Sequence, residues 1–301
     1  MTLTQRQKSG LANLACLAVA VIWGSGFIAS EYALKAQASP ALIMALRFSV
    51  AGGLLLLLVG RRLKAVPARQ LKQSAAAGLL LFAAFYLQIL GQQHTTVSNS
   101  AFLTATNVVM VPFLVWGMTR KRPGIKIFVL AAAALAGIGL LTLAPGGAAF
   151  NTGDGMVLLC ALFFALHICY LGRIMAGADA LSITAVQLLT AAGASLLVLA
   201  LFDPGALKVV QPMQAIGPVL YLGLMSTGLC YLLQTWAQKY TSAAKAGIIL
   251  STEGLFGSLF SVALALEPFT SRLAVGGLVI LMVVVLMELP PKIKKQEGGA
   301  V

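Results

Sequence analysis

The sequence predicts an all-α integral membrane protein with ten transmembrane helices, arranged as two inverted five-helix repeats (1–148 and 149–301) in one membrane domain. Three observations predict it. The 301 residues are 59% hydrophobic and only 10% charged, where a soluble domain carries roughly 25% charge. Apolar runs of membrane-spanning length recur along the whole chain. Lys and Arg alternate between dense and sparse in successive connections.

The runs fall at about 9–30, 40–60, 71–92, 97–118 and 125–144, and again at about 153–173, 181–202, 214–236, 242–265 and 272–290. Each is long enough to cross about 30 Å of hydrocarbon. Arg6 and Lys8 before the first run resemble a secretory signal. That run continues from Leu11 to Ser30 with no small-residue cleavage site before a hydrophilic segment, so it is read as a retained first span. Pro, Gly or charge separates the runs, as at Pro40, Pro67, Pro123, Pro145-Gly146-Gly147, Pro204-Gly205, Pro212, Pro268 and Pro290-Pro291. The connections from Gln92 to Val97 and from Gln238 to Ser242 are so short that the helices they join form antiparallel hairpins. The fifth and tenth runs have almost no polar side chain at membrane depth. They are read as scaffold or as a dimer face, with Gly137, Gly139, Gly276 and Gly277 allowing close backbone approach.

The amino terminus and the even-numbered connections hold seventeen Lys and Arg, whereas the odd-numbered connections hold three, Lys35, Lys208 and Arg272. Arg47 lies within the second span. This asymmetry places both termini in the cytoplasm. The net charge of +13 is therefore topological and not a nucleic-acid footprint, because the basic residues form no continuous face. Cys16, Cys160, Cys169 and Cys230 lie inside apolar runs without CxxC spacing, as buried small side chains do.

The halves resemble each other weakly. Cys16 through Trp23 overlays Cys160 through His167 at an offset of 144, Pro40 through Gly53 overlays Ala180 through Gly193 at 140, and Gln93 through Asn107 overlays Gln238 through Thr252 at 145. Five helices is an odd number, so the second half inserts upside down. Such repeats place a substrate site at their interface near the bilayer midplane.

Several segments are similar to the drug/metabolite transporter superfamily, in particular its ten-helix EamA-type exporters. They are IWGSGFIAS (Ile22 to Ser30), ALRFSVAG (Ala45 to Gly52), QKYTSAAKAGIILSTEGLFG (Gln238 to Gly257) and LALEPFT near the end of the ninth span. The chain departs from the family at Gly254, which follows Glu253 where proline is usual, although glycine also permits unwinding. The resemblance implies export of amino acids, other metabolites or drugs through the cell inner membrane, with no bound cofactor. Among family members it looks most like exporters of aromatic amino acids.

Candidate site residues are polar or aromatic groups at membrane depth, where each needs a partner or a cavity. Glu253, near the middle of the ninth span, is a candidate for substrate binding or proton coupling, or else a structural pairing partner. His167 occupies the repeat position of Trp23 and is a second candidate for coupling. Trp23 is too deep for the interfacial belt, where Trp116 and Trp236 fit. With Tyr86, Tyr170 and Tyr231 it forms either an aromatic-lined cavity or core packing. Ser100, Thr104 and Asn107 share one face of the fourth span, Thr227, Tyr231, Gln234 and Gln238 one face of the eighth, and Gln88 adds an amide. Such stripes line a path or join helices. Arg47 is read as snorkelling to the interface or ion-paired, with a substrate carboxylate as the lesser alternative.

Hydrolase and phosphate-loop motifs are absent from the sequence, and His94 lies too far from His167 for a zinc site. The chain is therefore read as a carrier for a small molecule and not as an enzyme, with no cofactor or metal and membrane lipid as its surroundings. The alternatives are a multidrug or other-metabolite exporter and, from a different class, a non-transporting assembly subunit.

Overall fold

A computed structural model of the chain describes residues 4–95, 97–142, 151–175, 178–264 and 269–288. The breaks at Pro145-Gly146-Gly147 and Pro290-Pro291, the Leu266-Glu267-Pro268 segment, and Lys292, Lys294 and Lys295 lie outside the described residues.

The described secondary structure is entirely helical. In order it comprises α1 (Gln5–Lys35), α2 (Pro40–Leu63), α3 (Ala68–Gln92), α4 (Val97–Ala105), α5 (Asn107–Thr119), α6 (Ile125–Thr142) and α7 (Thr152–Ile174). It continues with α8 (Ala180–Phe202), the single turn α9 (Ala206–Val209), α10 (Pro212–Tyr221), a π-helical segment (Leu222–Leu229) and α11 (Cys230–Ala237). α12 (Ala243–Leu250), α13 (Glu253–Ala263) and α14 (Ser271–Glu288) complete it.

Local chemistry sets the helix starts. Thr4 and Gln7 form a reciprocal capping box on α1, and Asn151 and Asp154 do the same on α7. Ser39 precedes Pro40 at the first position of α2 and accepts from the Leu42 amide at 3.2 Å. Asp179 caps α8 through the Ser182 amide at 3.0 Å.

Among the described residues, seven helical stretches are long and apolar enough to cross a membrane by length and composition: α1, α2, α3, α7, α8, Ser100–Thr119 and Pro212–Ala237. Ile125–Leu140 and Ala274–Leu286 are shorter apolar helices. The ninth apolar run differs from the uninterrupted helix that its hydropathy predicts, because it is divided into α12 and α13, of 8 and 11 residues.

α2 packs on α8, α3 on α7 and α8, α1 on α13, and α6 on α14, so segments far apart in sequence make the main contacts. The polarity is inverted relative to a water-soluble protein. Leu57 is 87% exposed and Met213 88%, whereas Arg47, Asn107, Thr184 and Gln187 are buried.

Candidate functional site

Two helix breaks and a π-helical segment converge at the centre of the molecule. The first break separates α4 from α5 at Thr106, whose hydroxyl bonds the Leu103 carbonyl at 2.6 Å. The second separates α12 from α13, where the hydroxyls of Ser251 and Thr252 bond the carbonyls of Ile248 and Ile249 at 2.8 and 2.7 Å. A hydroxyl that bonds back to its own helix competes with the i to i−4 ladder and bends it. The breaks lie 145 residues apart, Thr106 to Ser251, at the offset where the two sequences align. They make Asn107 the first residue of α5 and Glu253 the first of α13. The second break forms without the proline that the family usually carries beside it.

A cavity lies between these breaks. Its apolar wall is Trp23, Phe27, Phe85, Phe164, Ile168, Leu222 and Leu250, and its polar wall is Ser30, Arg47, Gln88, Asn107, Ser226, Gln234 and Glu253. The cavity volume is about 30 Å³, room for about two waters. Any organic substrate would therefore require the walls to separate. Close helix contact at the crossing of α1 and α13 supports the cavity, for a Cβ on Gly24 would lie 2.6 Å from the Gly257 amide nitrogen and 2.8 Å from the Glu253 carbonyl oxygen.

The predicted site residues divide into two groups. Trp23, Gln88, Asn107 and Glu253 line the cavity. Trp23 Nε1 donates to the Ser226 carbonyl at 2.8 Å, which ties α1 to the π-helical segment. Gln88 Nε2 donates to Thr104 Oγ1 at 3.1 Å. Asn107 Oδ1 is buried without a partner, and Glu253, 6% exposed, makes no hydrogen bond or ion pair among the described residues.

His167 and Tyr231 lie behind that wall. Tyr231 packs against Trp23, Phe85 and His167 at centroid distances of 5.3, 5.9 and 5.7 Å. His167 Nε2 meets Gln187 Oε1 at 3.0 Å, and Gln187 Nε2 donates onward to Thr235 Oγ1 at 3.1 Å. With Gln187 Oε1 as acceptor, Nε2 carries the proton and His167 Nδ1 is a bare lone pair, buried and unpartnered. Tyr86 stacks on Phe82 at 5.6 Å, and Tyr170 packs on a satellite cluster around Leu171 and Met175. Neither tyrosine reaches the cavity.

The reading of Arg47 as a snorkelling or ion-paired residue is corrected. It is 1% exposed, and no carboxylate among the described residues pairs with it. Its Nε donates to Thr227 Oγ1 at 2.9 Å and its Nη2 to Ser226 Oγ at 3.4 Å, while its guanidinium carbon lies 4.1 Å from the Phe85 ring centroid. Ser226, Ser30 and Phe27 also line the cavity without having been singled out. The π-helical geometry that turns Ser226 and Thr227 toward α2 has no signature beyond the nearby Pro218, Gly223 and Gly228.

A wider cavity, about 440 Å³, opens at the ends of α5, α7 and α12, among Val115, Met118, Thr119, Cys169, Gly172, Arg173 and residues 241–244. One apolar cluster, including Val111, Ile168, Ile249 and Leu250, lies between it and the central cavity.

The chain matches the model of the EamA-like transporter family twice, over residues 10–143 and 151–289. It is 29% identical over 286 residues to an uncharacterized transporter of Archaeoglobus fulgidus, covering 92% of this chain and 86% of that protein. A solved crystal structure shares its fold with a TM-score of 0.76 at 17% identity, covering 92% of this chain and 96% of the other.

Proposed function

The chain belongs to the EamA-like transporter family, and from that premise we propose that it is a secondary transporter of small organic metabolites. Its substrates are foremost amino acids with aromatic or other neutral side chains, which it exports by alternating access. The observation that carries this reading is the central cavity, where an aromatic wall meets amide, hydroxyl and charged groups contributed by both family-matching stretches. An apolar cavity alone would suit drugs of many shapes, whereas fixed polar groups select a ligand with matching ends.

The proposed architecture has ten spans in two oppositely inserted five-helix halves. The double family match supports it, as do the helix breaks 145 residues apart. The Lys and Arg asymmetry supports a cell inner membrane location with both termini cytoplasmic. On that orientation the wider cavity beside Arg173 is the cytoplasmic vestibule, and Val111, Ile168 and Leu250 form the apolar barrier that substrate must part. Trp23, Gln88, Asn107 and Glu253 contact substrate. Tyr231 and His167 brace Trp23 from behind, and Glu253 is the foremost candidate for proton coupling.

Purified protein in liposomes, assayed for flux of labelled amino acids with and without a pH gradient, tests this. Amino-acid flux that responds to the gradient supports the reading. Flux of drugs or other metabolites without amino-acid flux would replace it with the broader exporter. Absence of any flux would favour an assembly subunit.

A further inference from the structure

We propose that Arg47 and Glu253 are the two ends of a clamp for a zwitterion, Arg47 receiving the carboxylate and Glu253, with Asn107 Oδ1, receiving the ammonium. This deepens the transport reading and rests on it. Both ionisable groups line the same cavity, yet they form no ion pair with each other or with any other described residue. Opposite charges buried in a low-dielectric interior are costly unless paired, and a carboxylate left there without a cation takes up a proton that an arriving ammonium displaces. Two of them left apart at one cavity leave a site whose missing counter-charges have a defined order. A ligand carrying both signs satisfies both ends at once, whereas a ligand carrying one sign leaves the other end uncompensated.

The two ends are built for their roles. Arg47 is held on three sides, by Thr227, by Ser226 and by the Phe85 ring, and Nη1 makes no hydrogen bond among the described residues. A guanidinium fixed in this way presents a planar donor edge that matches a carboxylate. At the other end, an ammonium has three donors and no acceptor. Asn107 Oδ1 is a buried acceptor without a partner, and Glu253 supplies carboxylate oxygens from the first residue of α13. Because Asn107 begins α5 and Glu253 begins α13, the two helix breaks are what bring both acceptors to the cavity. Between the ends, Trp23, Phe27 and Phe85 offer an apolar wall for the substrate side chain.

The full chain in liposomes, transporting labelled phenylalanine, tests the clamp by competition with phenylalanine, phenethylamine (no carboxylate) and 3-phenylpropionate (no ammonium). In the wild type each half-molecule is expected to compete about a hundredfold more weakly than phenylalanine, because it strands a buried charge. Arg47→Gln should erase the discrimination against phenethylamine while keeping that against 3-phenylpropionate, and Glu253→Gln should do the reverse. A wild type that accepts either half-molecule as well as phenylalanine overturns the clamp, as does a folded variant that keeps both discriminations. If a variant fails to fold, the wild-type competition still decides. Phenylalanine flux without discrimination defeats the clamp and leaves the amino-acid reading standing, whereas flux of other solutes with no amino-acid competition defeats both.

Discussion

The pair α6 and α14 and the shell around the central cavity are both made mostly of Leu, Val, Ala and Gly, yet they are built on opposite plans. α6 and α14 run unbroken against each other, with no polar residue from Phe128 to Leu140 or from Leu273 to Met287. The shell is interrupted at Thr106, at Ser251 and Thr252, and along Leu222–Leu229. In lipid an interrupted turn must find partners inside the protein. Hydroxyls therefore accompany each break, and buried amides and charges gather beside them. Backbone irregularity and buried polarity mark the same place, and the cavity lies there. The described residues of the unbroken pair line neither the central cavity nor the wider one.

The largest expected effect tests whether the shell is also the more tightly specified region. Gly24→Val places a side chain against backbone atoms of Gly257 and Glu253, and neither can move without shifting α13. It should cost about 3 kcal/mol in thermal unfolding in detergent. Gly137→Ala, in the other region, meets Ile280 Cγ1, Val279 Cγ1 and the Gly276 carbonyl oxygen at 3.0, 3.1 and 3.2 Å, so its neighbours need give by only a few tenths of an ångström. Its expected cost is about 1 kcal/mol. A larger loss from Gly137→Ala would reverse the comparison.

Next is the polar chain behind the cavity. Thr235→Val removes the acceptor for Gln187 Nε2 and strands a buried donor, at an expected cost of about 2 kcal/mol in the same melt. Competition profiles in liposomes should not change, because neither Thr235 nor His167 lines the cavity. A change in the pH dependence of flux would instead move His167 from brace to coupling group.

How far these roles were legible depends on what a sequence encodes about a membrane helix. Depth can be counted from the ends of an apolar run, which is why Glu253, Asn107 and Trp23 stood out near the midplane and Gln88 within the third span. Azimuth cannot, because it is set by neighbours. Tyr86 and Tyr170 lie at suitable depth but face Phe82 and the cluster around Leu171. Arg47 was misread for a related reason. Seven residues past Pro40 it is within snorkelling reach of the interface, but the π-helical segment, with Ser226 and Thr227 turned to meet it, and the Phe85 ring hold it inward. The apolar runs were legible in hydropathy, but the divisions of the fourth and the ninth were not, since Ser and Thr in lipid support a straight helix or a broken one.

Asn107→Leu sharpens the contrast by separating transport from stability. It removes an acceptor that has no partner, so the fold should hold or gain slightly, while flux should fall about tenfold, the equivalent of one lost hydrogen bond to substrate. Leu281→Ala, on an exposed face of α14 (51%), should leave flux unchanged. A flux loss at Leu281 would give the unbroken pair a functional role, such as contact with a second copy.

Tyr86→Phe is the smallest effect and the most direct check on azimuth. The Tyr86 hydroxyl makes no hydrogen bond among the described residues, and its ring stacks on Phe82, outside the cavity wall. Phenylalanine keeps that stacking, so stability should change by less than about 0.5 kcal/mol and flux should match the wild type. The hydroxyl matters only if α3 rotates during the transport cycle and carries Tyr86 toward the path. A flux loss of about tenfold with an unchanged melt would reveal that rotation, because a purely structural role would lower the melt as well. Equal flux and an equal melt would leave Phe85 and Gln88 as the residues through which α3 meets the substrate.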